Sequence, residues 1–375
     1  MDTGAHERPR PRLHGLVSAR RVTGTLLFAC VAASLLAGIA GGLFRLGIVA
    51  SEGAWLGRAA LAHAALMMCG FLGTVIGVER AVAARRRLAF AAPLLSGAGG
   101  LLLLQGAHAA ASLALVAAAV AFVAVNVLLL RRQRAPHTVL LLASACAWCA
   151  GNLLFATGAA TGAVLPWWFA FLVMTVAAER LEMTRLMRRR PAAQPALAFV
   201  LALLTLGAAL SAVWLQGGGV LFGAALAALA AWLFTFDIAR RTVRADGLPR
   251  YMAACLLAGY AWLAAGGVAW VATALGAPAR DLALHALGLG FLASMILGHA
   301  PVILPAIARI KLQFGPVFYA PLAVLHLSLL LRLGAGLVDF DARRTGGLLN
   351  ALALALFALT VVGAAFAWRR RHALP

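Results

Sequence analysis

Charge is scarce in this chain: Asp, Glu, Lys and Arg together supply 11% of 375 residues, less than half the share of a soluble domain. That scarcity excludes a water-soluble enzyme, a charge-rich disordered segment and a coiled coil with charged flanks. Five cysteines in such a length exclude a disulfide scaffold. Lysine is almost missing, with Lys311 alone beside 31 arginines, and the bias reads as coding composition rather than chemistry. The cations punctuate apolar runs instead of gathering on one face, so the net charge of +21 does not indicate a nucleic-acid partner. No stretch between those runs is long enough to bind a protein partner independently.

What remains is apolar: 64% of the residues are hydrophobic and the mean hydropathy is +0.95. A bilayer core of about 30 Å takes ~20 apolar helical residues. Twelve such runs emerge, at 22–48, 56–78, 88–106, 109–130, 138–158, 163–183, 196–215, 218–236, 251–275, 282–306, 315–337 and 347–368. The expectation is an all-α polytopic membrane protein whose partner is the lipid bilayer. It divides into a basic arm at 1–21, one twelve-helix domain at 22–368 and a basic tail at 369–375. Span 1 follows the basic arm as a signal peptide would, but its apolar core exceeds the 7–15 residues of a signal h-region and stays a helix.

Lys and Arg accumulate in cytoplasmic loops. Assigning the 32 cations to alternate sides leaves only Arg45, Arg58, Arg280, Arg332, Arg343 and Arg344 on the side away from the termini. The chain therefore reads as having both termini and the Arg185–Arg190 loop in the cytoplasm.

The even spans carry an echo. Gly70-Phe71-Leu72 precedes Gly77-Val78-Glu79-Arg80, Phe171-Leu172 precedes Ala177-Ala178-Glu179-Arg180, and Gly290-Phe291-Leu292 precedes Leu297-Gly298-His299-Ala300. Helices 2, 6 and 10 would then correspond in three parallel four-helix repeats, a pattern set against the chance similarity of Ala/Leu-rich helices. Glu79-Arg80 and Glu179-Arg180 fall at helix C-termini, where the cation suits the helix dipole and the acid can pair across to a neighbour. Pro301 and Pro305 would bend or end helix 10.

Ionisable side chains inside a membrane are costly and mark function by default. Of nine histidines, His6, His14 and His372 lie in tails, and His108 and His137 lie at span ends. His63, His285 and His326 sit within ~10 Å of the outer ends of spans 2, 10 and 11, at one depth. His299 lies about 21 Å deeper than His285, near the inner end of span 10, as a separate group. Imidazoles at one depth suit axial ligation of haem or a transition metal, and they also suit interhelical hydrogen bonding. His63 and His285 form the expected axial pair, with His326 as alternative or second-metal ligand; His299 completes the metal-ligand candidates. Arg45, Arg58 and Arg332 lie where haem propionates would need cations, and where ordinary interface anchors also sit. Cys146-x-x-Cys149 lies in an apolar helix without a second pair. Cys30, Cys146 and Cys255 take equivalent places in the repeat, which would suit a soft metal, although free cysteine is commonly buried.

His63 with Met67, Gly70 and Phe71 resembles the second-helix signature of the NnrS family. His285-Ala286-Leu287, Gly290 and Met295 resemble its late H-A-L-x-x-G-x-x-x-x-M segment. The resemblance implies a twelve-helix bacterial inner-membrane protein with haem, and with copper, in the nitric oxide response. A small diatomic ligand or a redox partner would follow. Beyond Met295 the sequence departs from the family's usual continuation, reading Gly298-His299-Ala300-Pro301, then Pro305 and Arg309. The three-times-four arrangement also resembles the haem-copper oxidase catalytic subunit, with haem ligands on helices 2 and 10. Helix 6 offers Trp167 and Trp168 but no histidine, so that resemblance stops at the copper centre. The alternative is a secondary transporter of a small solute or ion. Gly77–Arg87 resembles the helix 2–3 loop of major facilitator proteins without its Asp and second Gly, and transporter repeats usually come in pairs.

Overall fold

A computed structural model describes residues 13–50, 53–183 and 191–372. Among these residues helices are the only regular structure, and twelve are long and apolar enough to cross a membrane. They are α1 (Val22–Arg45), α2 (His63–Ala84), α3 (Arg87–Gln105), α4 (His108–Arg132), α5 (Pro136–Ala156), α6 (Thr161–Met183), α7 (Ala193–Leu210), α8 (Leu215–Phe236), α9 (Gly247–Ala274), α10 (Arg280–Ala306), α11 (Pro316–Leu337) and α12 (Phe340–His372). The protein is an all-α polytopic membrane protein. Backbone groups in lipid must be satisfied within the segment, and an unbroken helix does this.

The helices overrun the apolar runs at several ends. The first continues back to Leu13, so part of the basic arm is helical, and the last runs through Arg369, Arg370 and Arg371 to His372. Residues 1–12, the Arg185–Arg190 loop and residues 373–375 lie outside the described residues. The two prolines do not end α10: both lie inside the helix, which stops at Ala308, and Arg309 leaves it with a left-handed φ of 58°. Each proline removes one backbone donor only, and the remaining bonds carry the helix past it.

Chain neighbours pack together around the bundle, α1 meets α12, and α6 reaches both α8 and α10. Within each consecutive set of four, the most buried helix is the second: 50% of the apolar window of α2, 72% of α6 and 56% of α10 are buried. α1 and α12, among the least buried of the twelve, turn Phe28, Leu36, Leu359 and Phe366 outward, which in lipid carries no hydrophobic penalty. In the core Trp148 of α5 stacks on Phe171 of α6 at 5.1 Å between ring centroids, and Phe122 of α4 meets both rings edge-on.

Two helices are not uniform. Leu66–Gly73 in α2 and Ala286–Ala293 in α10 are π-helical, 220 residues apart in register. Each widened turn holds one residue more than an α-turn, and such segments concentrate at functional sites. His63 lies three residues before the first segment and His285 directly before the second.

Close helix contact at the entrance to α2 depends on Gly41. A Cβ there would stand 2.5 Å from the backbone carbonyl carbon and oxygen of Ala59, in the short helix Ala54–Leu61 that leads into α2. Small residues let membrane helices approach in this way. Gly41→Ala is expected to lower thermal stability in detergent by about 1–3 kcal/mol, the range of overpacking. Gly24→Ala, at a position with no atom within 4 Å of the added Cβ, is the matched control, and equal melting of the two variants would contradict the contact.

Candidate histidine site

α2 and α10 bring His63 and His285 together on the side of the bundle away from the chain termini. Their ring centroids are 6.3 Å apart with planes inclined by 35°. His63 Nδ1 lies 2.7 Å from the Gly38 carbonyl of α1. A carbonyl brings no proton, so Nδ1 donates, and the Nε2 lone pair is left without a partner among the described residues. Gly42 makes the approach feasible, since a Cβ there would lie 3.1 Å from His63 Cε1.

His285 is held by its own helix. Asp281 Oδ1, one turn earlier, accepts from His285 Nδ1 at 2.9 Å. Arg332 of α11 grips the same carboxylate twice, Nη2 to Oδ1 at 2.9 Å and Nε to Oδ2 at 3.2 Å. Its Nη2 also donates to His285 Nε2 at 3.1 Å. Carboxylate, imidazole and guanidinium form one half-buried network, in which each charge offsets the cost of withdrawing the others from water. The Asp281 contact orients the ring as a carboxylate behind a ligating histidine does.

His326 lies elsewhere in chemical terms. Trp262 Nε1 donates to His326 Nδ1 at 2.9 Å, with the two rings stacked. Indole is a donor only, so His326 Nδ1 is the acceptor and its proton sits on Nε2, which is buried without a partner. The ring thus has no free lone pair for a metal.

His299 belongs to a second group at the opposite end. Its Nδ1 donates to the Met295 carbonyl at 2.6 Å and its Nε2 accepts from Arg180 Nη2 at 2.9 Å. The echoed segments of α6 and α10 therefore meet through Arg180 and His299, the arginine rather than the adjacent acid making the contact across helices. Glu79 pairs with its own neighbour Arg80 rather than across to another helix. Asp237, just beyond α8, caps the turn by accepting from the Ala239 N–H at 2.7 Å. Burial pushes its carboxyl above the ordinary carboxylate value, against the pull of Arg180 and that N–H.

Of the arginines expected near the site, Arg332 is in it. Arg45 is exposed and lies within Coulombic reach of His63. Arg58 spends its Nε on the Leu104 carbonyl at 2.6 Å, tying α2's entrance to the end of α3. Cys30 packs at Gly97 and Cys255 at Gly298, while Cys146 is exposed. Among the described residues no three His, Cys, Asp or Glu side chains are grouped to hold a metal ion. Asp281, Gly38 and Trp262, the partners of these rings, are not singled out by the sequence analysis. An acid one turn before a membrane histidine was the one signal available.

The comparisons with curated proteins and with solved structures find no match. A protein family described as Domain of unknown function (DUF8744) matches residues 21–366. With that match running through all twelve helices, the chain belongs to the DUF8744 family.

Proposed function

We propose that this is a haem-binding integral membrane protein of NnrS-like type in a bacterial inner membrane, with both termini cytoplasmic, His63 and His285 as axial ligands and a role in membrane redox chemistry. The observation that carries it is the 6.3 Å between the two imidazole centroids. Two metal–nitrogen bonds of about 2 Å plus about 1.2 Å from each nitrogen to its ring centre span that distance. A pair of imidazoles is also too small a donor set for a metal bound by side chains alone, so the remaining ligands would come from the cofactor, as four tetrapyrrole nitrogens do.

The protein's part is orientation and charge. Gly38 fixes the His63 tautomer and Asp281 fixes that of His285, directing a lone pair of each to Nε2. Arg332 would give up its hold on His285 Nε2 while keeping Asp281, and with Arg45 it supplies positive charge for propionates. Bound between two histidines, haem supplies one-electron redox chemistry. A site that engages both imidazoles would support electron transfer, and a diatomic ligand such as nitric oxide would have to compete with His63 or His285 for binding. Copper has no grouped ligand set to support it among the described residues.

Protein purified after expression with ample haem should show a Soret band and a positive pyridine haemochrome assay. His63→Ala and His285→Ala should each abolish the six-coordinate spectrum and open a position to carbon monoxide, while His326→Ala leaves the spectrum unchanged. No Soret band in the parent protein, or unchanged spectra in both ligand variants, would sink this reading. Asp281→Asn should weaken haem retention by about 10–100-fold, the usual effect of losing a carboxylate behind a ligand. For orientation, reporter fusions after residue 190 and at the carboxyl end should both give cytoplasmic signals. An external signal at either would contradict the assigned sidedness.

A further inference from the structure

A cavity of about 370 Å³ lies at the termini side of the bundle, between the segment following α10 and the last turns of α12, lined by Arg309, Ile310, Lys311, Trp368 and Arg369. That is the lower part of the range for small-ligand sites, about 300–1,000 Å³. The segment is fixed to α12 by the Gln313 N–H, which donates to the Ala364 carbonyl at 3.0 Å. Lys311 Nζ stands 4.8 Å over the Trp368 ring.

Three of the five lining residues are cations, and among the described residues none of their side chains makes an ion pair or hydrogen bond. Like charges around one cavity repel, and a bound anion removes that repulsion. Arg309 leaves its helix in a left-handed conformation, φ 58°, as Arg85 does at the end of α2, φ 51°.

The position selects the anion's source. α12 is the least buried of the twelve helices, at 22% of its apolar window, so its flank faces lipid rather than the bundle interior. A tryptophan at the end of a spanning helix sits at the level of lipid headgroups. Basic pockets between helices at that level bind acidic headgroups, with Arg and Lys directed to phosphate oxygens. We propose that this cavity binds the phosphodiester headgroup of an anionic phospholipid, contacted by Arg309, Lys311 and Arg369. The site is remote from the histidine pair and independent of haem.

Lys311 is the only lysine in the chain, so its ε-amine can be followed alone by acetylation and peptide mass spectrometry. The full-length protein is reconstituted in phosphatidylcholine with or without phosphatidylglycerol, and in phosphatidylcholine with inorganic phosphate added. Phosphatidylglycerol is expected to slow Lys311 acetylation about fivefold, the effect of roughly one basic contact to an acidic lipid. Inorganic phosphate should have little effect. The double variant Arg309→Gln/Arg369→Gln, and Arg369→Gln alone as a milder change, should lose that protection while retaining helicity and a monodisperse profile. Equal rates in both lipids, or equal protection by inorganic phosphate, would overturn the proposal. So would undiminished protection in both folded variants, because surface potential alone would then explain it.

Discussion

The structure turns on one constraint: a charge placed in the apolar bundle must be paired by other side chains, because bulk water is not there to solvate it. Asp281, His285 and Arg332 satisfy it together, an acid gripped on two edges by a guanidinium and on a third by an imidazole. The network joins α10 to α11. The Gly38 bond of His63 joins α2 to α1, and the two ring centroids then lie 6.3 Å apart between these pairs. Holding the imidazoles in place is a by-product of burying charge where four helices come together.

The same constraint works differently at the other end. Arg180 is 6% exposed, yet its described hydrogen-bond partner is a neutral acceptor, His299 Nε2. Asp237 lies close enough to exert an opposite charge without forming an ion pair. One end of the bundle thus contains a compact ionic network with a vacant lone pair beside it at His63. The other contains a guanidinium whose charge is shared at longer range.

Much of the fold was legible because length and apolarity are what a bilayer selects: twelve runs correspond to twelve helices, differing mainly where charged residues at the ends remain helical. The pairing of His63 with His285 was legible because depth along a helix follows from residue count. Direction around the helix was less so. The π-helical turns at Leu66–Gly73 and Ala286–Ala293 change the facing of everything after them, and no local residue preference announces them. Hydrogen-bond roles were also hidden. His326 and His63 look alike in sequence, but a Trp262 donor and a Gly38 acceptor place their protons on opposite nitrogens. That difference depends on side chains and carbonyls 64 and 25 residues away.

Arg180 and His299 have a consequence for how the chain is made. They are 119 residues apart, so at about 5–20 residues per second α6 emerges some 6–24 s before the acceptor it needs. Until α10 is made, Arg180 lacks that acceptor, so the contact between α6 and α10 closes only after the tenth helix is inserted.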